Sequence, residues 1–163
     1  MAEDLVEVHM KGVPLAIHQR AGEHSAEIMR EFAHLVEGPS AADAPARLIV
    51  LDRVLQAAYQ RFSQGTSDQL DAALSRGDTE ADLVYTVPKE AGAASEAYQR
   101  IWEEVDAYCA DGKYLLALRS PPDVAAYRRW VTGEFVKQTA GGPPMRWSNW
   151  LRRLPESGGE GGI

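Results

Sequence analysis

The stretch EHSAEIMREFAH, residues 23–34, places two histidines and three glutamates close together, which are residue types that ligate metal ions. Glu31 and His34 have the Glu-x-x-His spacing that di-iron helical bundles use. Such a centre needs a second copy of this motif and two further glutamates, all pointing inward, and the sequence contains no second copy. A zinc site likewise needs three or four protein ligands.

The helical projection of this stretch argues against a metal centre. At about 100° per residue, the candidate ligands fall opposite or beside the apolar face of the helix. These ligands are His24, Glu27, Glu31 and His34. We therefore predict a solvated helix face here, with no metal site and no cofactor.

His18 differs from these residues because it lies on the apolar face of the same helix. A histidine in that position is either a hydrogen-bonded core residue or a contact to a ligand. Helical bundles do hold small molecules between their helices. The candidate lining of such a cavity is His18, Tyr59, Tyr98 and Tyr127. The sequence leaves open whether these side chains only fill the core or bind a ligand, including the substrate of an enzyme.

Reactive motifs are otherwise absent, so no catalytic residue is assigned. The single cysteine, Cys109, lies near Asp106 and Asp111, and neighbouring acids raise the pKa of a thiol. We predict a buried, unreactive thiol. The sequence has no glycine-rich phosphate loop, no Gly-x-Ser-x-Gly elbow and no Cys-x-x-Cys pair.

The segment MRWSNWLRRLP, residues 145–155, combines tryptophans and leucines at helical spacing with flanking arginines. Such a segment can pack on its own protein, dock on a partner or a second copy, or lie on a membrane, and the negative net charge disfavours the membrane. A second Arg-Arg-Trp group lies upstream. We predict a partner-binding surface that consists of Arg128, Arg129, Trp130, Trp147, Trp150 and Arg153.

Hydrophobic periodicity and the placement of glycine and proline define the elements that position these residues. Helices are predicted over about 14–37, 45–64, 67–75 and 89–110, with a further helix that starts at Ser120 as its N-cap. Segments 5–10, 82–88 and 113–119 read as extended, either as a small sheet or as ordered connections. The predicted fold is mainly α, an antiparallel bundle of four long helices plus one short helix with a minor β element. We expect residues 1–155 to form one domain and residues 156–163 to form a flexible tail.

Composition narrows the functional classes. The 163 residues carry a formal net charge of −7, which disfavours binding to nucleic acid. No apolar run approaches the roughly 20 residues that cross a bilayer. The N-terminus lacks the basic-then-apolar order of a secretory signal, and one cysteine fits a reducing compartment. We therefore expect a cytoplasmic protein with no membrane contact.

Three stretches carry a family resemblance: GVPLAIHQRAGEHSAEIMREFAHL, DLVYTVP and SPPDVAAYRRWVTGEFVKQTAGGPPMRW. Together they resemble an actinobacterial family of small helical proteins found beside, or fused to, anti-sigma-factor serine kinases and anti-anti-sigma proteins. The resemblance implies a partner-switching regulatory context and supplies no catalytic motif. Because the chain lacks nucleotide-binding boxes, we expect a non-enzymatic regulatory or sensory interaction module that binds a protein partner or a second copy of itself. The alternative is a bundle that binds a small ligand near His18.

Overall fold

A computed structural model describes residues 4–37, 50, 53, 66–112 and 119–154 of the chain. The elements in chain order are β1 (Leu5–Pro14), α1 (Leu15–Glu37), α2 (Ser67–Ser75), β2 (Glu80–Pro88), α3 (Ala91–Asp111), α4 (Pro122–Thr139) and α5 (Trp147–Arg153). The chain is mainly helical, as the sequence predicts.

The bounds of the described helices agree well with the sequence prediction, whereas the predicted bundle of four long helices agrees less well. The bounds of α2 are those predicted, and those of α1 and α3 differ from the prediction by one or two residues. The predicted helix over 45–64 lies outside the described residues, apart from Val50 and Arg53, which are helical. A bundle of four long helices is therefore not confirmed, since the described part of the chain contains three long helices, α1, α3 and α4.

The start of α4 corrects the predicted N-cap. The helix begins at Pro122, with Pro121 rather than Ser120 in the capping position. Ser120 instead forms hydrogen bonds with α3. Its backbone N–H and its hydroxyl both donate to Asp106 Oδ1 at 2.8 Å. The hydroxyl is therefore engaged with α3 instead of capping α4.

The sheet consists of β1 and β2, which pair antiparallel from Leu5 opposite Pro88 to Pro14 opposite Glu80. This pairing confirms the extended segments 5–10 and 82–88 as strands, and strands of ten and nine residues form more than a minor element. Alternation along the strands buries Val8, Met10 and Leu83 in the main core. The predicted segment 113–119 lies outside the described residues except for Arg119.

Two glutamine side chains form hydrogen bonds with the outer edges of this two-stranded sheet, one on each strand. His9 and Val84 are paired in the register, and a non-hydrogen-bonded pair of this kind points its backbone groups outward. Gln138 of α4 accepts from His9 N–H at 2.8 Å and donates to His9 C=O at 2.9 Å. Gln69 of α2 does the same for Val84, at 2.9 and 3.0 Å. Each helix thereby satisfies two backbone groups of a strand.

Helix α4 is the centre of the fold because it packs against α1, α3 and β1. Its side chains Tyr127, Trp130 and Phe135 belong to the main core cluster, together with the sheet residues and Trp147 of α5. A second cluster joins α1 to α3 through Ile28, Phe32, Trp102, Val105 and Cys109. Residues of both clusters, together with polar residues between α1, α3 and α4, line the candidate site.

Candidate functional site

A cavity of about 300 Å³ lies between α1, α3 and α4, and residues of α2 and β2 complete its described wall. Helix α1 contributes His18, Ala21 and Ser25, and α3 contributes Ser95 and Tyr98. Leu70 of α2 and Tyr85 of β2 add apolar and aromatic surface. The wall is thus mostly carbon, with a small number of polar groups, which is the usual character of a small-molecule site.

The longest wall of the cavity is one face of α4. Arg128, Val131 and Phe135 succeed one another at helical spacing and all line it. Seven residues separate Arg128 from Phe135, which is about 10 Å along the axis at 1.5 Å per residue. The cavity therefore has a cationic side chain towards one end of this wall and an aromatic pair, Phe135 with Tyr85 at a centroid distance of 5.2 Å, towards the other.

His18 and Tyr127 form a hydrogen-bonded pair on the cavity wall, with 2.8 Å between His18 Nδ1 and the tyrosine hydroxyl. Their rings meet edge to face at 5.9 Å. Burial lowers the pKa of His18 below its ordinary value, because the charged imidazolium loses hydration. Burial also raises the pKa of Tyr127 well above its ordinary value, with a smaller contribution from Tyr85. Both members of the pair are therefore uncharged near neutral pH.

Arg128 is the charged group of the site, with only 6% of its surface exposed. Its Nη1 donates to Ser120 Oγ at 2.5 Å. Its Nη2 lies 3.1 Å from Ser25 Oγ, 3.2 Å from His24 Nδ1 and 3.3 Å from the carbonyl oxygen of Ala21. Four acceptors, none of them a carboxylate, thus hold the guanidinium in place between α1 and α4.

The charge of Arg128 is compensated only indirectly. Its guanidinium carbon lies 3.6 Å from the centroid of the Trp102 ring, a cation–π contact. Asp106 reaches it through the Ser120 hydroxyl, which donates to Asp106 and accepts from Arg128. Within the described ranges, no carboxylate forms an ion pair with Arg128. Desolvation lowers the pKa of Arg128 to about 10, against smaller opposing effects of Tyr98 and Asp106, so the group stays protonated at neutral pH.

A second cavity, of about 240 Å³, lies on the α3 side of Arg128. Its described lining includes Trp102 and the two carboxylates Glu103 and Asp106. Trp102 Nε1 is buried and has no hydrogen-bond partner among the residues that the structure describes. The first cavity differs from this one because none of its described lining residues is acidic.

The structure brings together most of the residues that the sequence proposes for a ligand site. His18, Tyr98 and Tyr127 line one cavity, whereas Tyr59 lies outside the described residues. Arg128 and Phe135 were not proposed for this role. The signal for them was the spacing of seven residues between Arg128 and Phe135, which places a cation and an aromatic ring on the same helical face as Val131.

The predicted exposed surface of aromatic and arginine side chains is wrong for three of its members. Arg128, Trp130 and Trp147 are 6%, 0% and 6% exposed. Trp130 Nε1 donates to the Met145 carbonyl at 3.1 Å, and the Trp130 and Trp147 rings lie 5.5 Å apart. Trp150 is half-buried and stacks on Trp147 at 5.6 Å. Aromatic packing draws this segment onto α4, and Arg129 and Arg153 remain exposed.

The predicted solvated face of α1 is wrong for His24. This residue is 9% exposed, and its ring lies 5.7 Å from that of Trp102. The physical reason is that α1 buries a second row of side chains against α3, and His24 precedes Ile28 and Phe32 in that row at intervals of four residues. Glu27 and His34 are exposed. In the part of the chain that the structure describes, no group of three or more acidic, histidine or cysteine side chains is placed to hold a metal ion.

Comparisons with known proteins leave the site to be interpreted from its own geometry. Among the described helices, none is long and apolar enough to span a membrane. No protein-family model matches the sequence, and no curated protein or solved structure is similar to it.

Proposed function

We propose that the protein binds a small organic molecule in the cavity between α1, α3 and α4. The observation that carries this proposal is a cavity of about 300 Å³ whose apolar wall includes a buried guanidinium and the His18–Tyr127 pair. A few convergent polar groups in an otherwise apolar cleft are typical of sites that orient a ligand. The volume lies at the lower end of the range for ligand pockets, about 300–1,000 Å³, so the ligand is small.

Binding is better supported than catalysis by the state of the polar groups in this cavity. The Ser25 hydroxyl donates to the Ala21 carbonyl at 2.9 Å and accepts from Arg128, a permanent cation that cannot act as its base. Burial keeps Tyr85 and Tyr127 protonated, since the pKa of each is raised. Among the described lining residues, the hydroxyl that has an imidazole beside it is that of Tyr127, and burial opposes its ionisation to the nucleophilic phenolate.

A ligand-binding domain fits the sensory role that the family resemblance implies. In that role, the ligand would change how the chain engages a regulatory protein or a second copy of itself. The partner-switching pathway, the protein partner and the cytoplasmic location remain predictions from the sequence. A mainly α fold in which the helix predicted over 45–64 completes a four-helix bundle remains part of the same proposal.

The experiment that tests ligand binding compares a filled cavity with an unfilled one. Val131→Phe places a ring in the cavity, and Val136→Phe makes the same change on an exposed position of α4. Leu70→Phe on α2 and its exposed neighbour Leu74→Phe form a second matched pair. Saturation-transfer NMR with fragments of about ten to fifteen non-hydrogen atoms measures binding, and circular dichroism checks that each variant is folded.

We expect wild type, Val136→Phe and Leu74→Phe to bind the same fragments, and Val131→Phe and Leu70→Phe to lose them, because the added rings occupy the site. If no fragment binds the wild type, the proposal is wrong. It is equally wrong if folded Val131→Phe and Leu70→Phe retain the binding of the wild type.

A further inference from the structure

The charge distribution around the cavity points to the chemical class of its ligand. Arg128 is a buried cation whose hydrogen-bond acceptors among the described residues include no carboxylate; they are Ser120, Ser25, His24 and the Ala21 carbonyl. These contacts engage Nη1 and Nη2 but do not neutralise the charge of the guanidinium. Buried arginines are usually paired with an acid, since an isolated charge in a low-dielectric interior is unfavourable.

Arg128 lines the cavity on the α3 side and also the first cavity. Ala21 and Ser25, two of its acceptors, line that cavity as Arg128 itself does. An anion placed there would meet no acidic side chain among the described lining residues. The cavity on the α3 side of Arg128 already presents Glu103 and Asp106, which would repel an anion. Judged by the described residues, the first cavity is therefore the side from which an anion can approach Arg128 without meeting a carboxylate.

The lining at the other end of the cavity indicates which kind of ligand body would fit there. About two helical turns beyond Arg128, the wall consists of Phe135, Tyr85 and Leu70, which offer apolar contacts and ring faces. A molecule that reaches from one end to the other extends about 10 Å along α4. It would carry its charge at one end only.

We propose that the ligand is a small amphiphilic carboxylate, such as an aromatic or medium-chain acid, whose carboxylate lies against Arg128 and whose apolar body extends towards Phe135. This inference rests on the proposed function, because it presupposes that the cavity is a binding site. A carboxylate is the anion that a guanidinium recognises with two parallel hydrogen bonds, and it supplies the direct counter-charge that no described residue gives to Arg128.

The test uses pairs of probes that differ only in charge. Cinnamate is compared with cinnamamide, and octanoate with octanamide, by isothermal titration calorimetry at pH 7.5. The wild-type protein should bind each acid about ten- to a hundredfold more tightly than its amide, because a hydrogen bond to a charged group is roughly twice as strong as a neutral one and the charges also attract. Raising the salt concentration should reduce this ratio only slightly, since the pair is buried.

Variants of Arg128 test whether the preference for the acid over the amide depends on this residue. Arg128→Gln should remove the preference for the acid and leave amide affinity within a few-fold, while Arg128→Lys should retain part of it. Arg30→Gln, an exposed arginine of α1, is the control and should behave as the wild type. Because Arg128 also links α1 to α4 and its replacement can unfold the chain, the acid-to-amide ratio of the wild type stands as an independent readout.

The outcomes separate the two proposals. Equal binding of acid and amide by the wild type overturns the carboxylate assignment and leaves the cavity as a site for neutral molecules. Loss of the acid preference in Arg30→Gln, or its full retention in folded Arg128→Gln, likewise overturns the role of Arg128. Failure of acids, amides and neutral fragments alike to bind overturns the proposed function itself.

Discussion

Tyr127 connects the cavity to the C-terminal helix, because its hydroxyl lies 2.8 Å from His18 Nδ1 while its ring lies 6.0 Å from that of Trp147. The same residue thus contacts α1 at one end and α5 along its side. Trp147 in turn lies between Trp130 and Trp150. Tyr127 is therefore a residue through which the cavity wall contacts α5.

Replacing His18 should change the pH dependence of stability. Because its folded-state pKa lies below the value of 6.5 that it has when unfolded, the unfolded chain binds the proton first as the pH falls. The contribution of this group to stability is therefore present above pH 6.5 and declines as the pH falls below that value. We expect His18→Gln to flatten the dependence of the unfolding free energy between pH 7.5 and 5.5, measured with urea.

His34→Gln is the matched control for this measurement, since His34 is an exposed histidine of the same helix. A pH dependence that is unchanged in His18→Gln, or that flattens as much in His34→Gln, would contradict the assignment of this effect to His18.

Removing the amide of Gln138 should destabilise the fold. Gln138→Ala leaves the N–H and C=O of His9 without their partners, and unsatisfied buried groups of this kind cost about 1–3 kcal/mol. Gln19→Ala, at an exposed position of α1, should change the free energy of unfolding by less than about 0.5 kcal/mol. Equal effects of the two substitutions in chemical denaturation would show that the amide is dispensable.

Truncating the side chain of Trp147 should strongly destabilise the fold. We expect Trp147→Ala to lower the free energy of unfolding by about 3–5 kcal/mol, because it leaves a cavity beside Tyr127 and Trp130. Leu151→Ala on the same helix is the control, since Leu151 is 46% exposed. A thermal melt of Trp147→Ala that matches the wild type would mean that α5 is not packed as described, and would return this tryptophan to the predicted partner-binding surface.

The thiol of Cys109 should resist alkylation in the folded protein. Burial raises its pKa to about 12, with further contributions from Asp106, Glu31 and Glu27, and the residue is only 8% exposed. At pH 8 the thiolate is then roughly one molecule in 10⁴, and the thiolate is the reactive form. Iodoacetamide labelling followed by mass spectrometry should be at least tenfold slower in buffer than in 8 M urea. Similar rates in the two conditions would contradict a buried thiol.

The sequence predicted the local elements well because their signals are local. Alternating residues along β1 and the periodic apolar residues of α1 and α3 need no knowledge of the neighbours. The pattern on a single helix does not reveal how many partners that helix has. For that reason His24 was placed in solvent, although the row through Ile28 to Phe32 faces α3.

The candidate site was partly predictable for the same reason. His18, Tyr98 and Tyr127 were identified because polar groups on apolar faces are visible in the sequence. Arg128 was assigned to the surface, since an arginine in a helix is mostly exposed and only tertiary contacts reveal its burial. The hydrogen bonds from Arg128 to Ser25 and Ala21 join positions more than 100 residues apart, which no local pattern encodes.

The paired glutamines also bear on self-association. Both edges of a two-stranded sheet ordinarily carry unpaired backbone N–H and C=O groups. A strand of another molecule can pair with them, which is a first step towards fibrils. At the level of His9 and Val84, the amides of Gln138 and Gln69 already fill the places that an incoming backbone would take. A third strand could pair at that point only after displacing a glutamine side chain. The two glutamines therefore oppose addition of a strand to the sheet at this position.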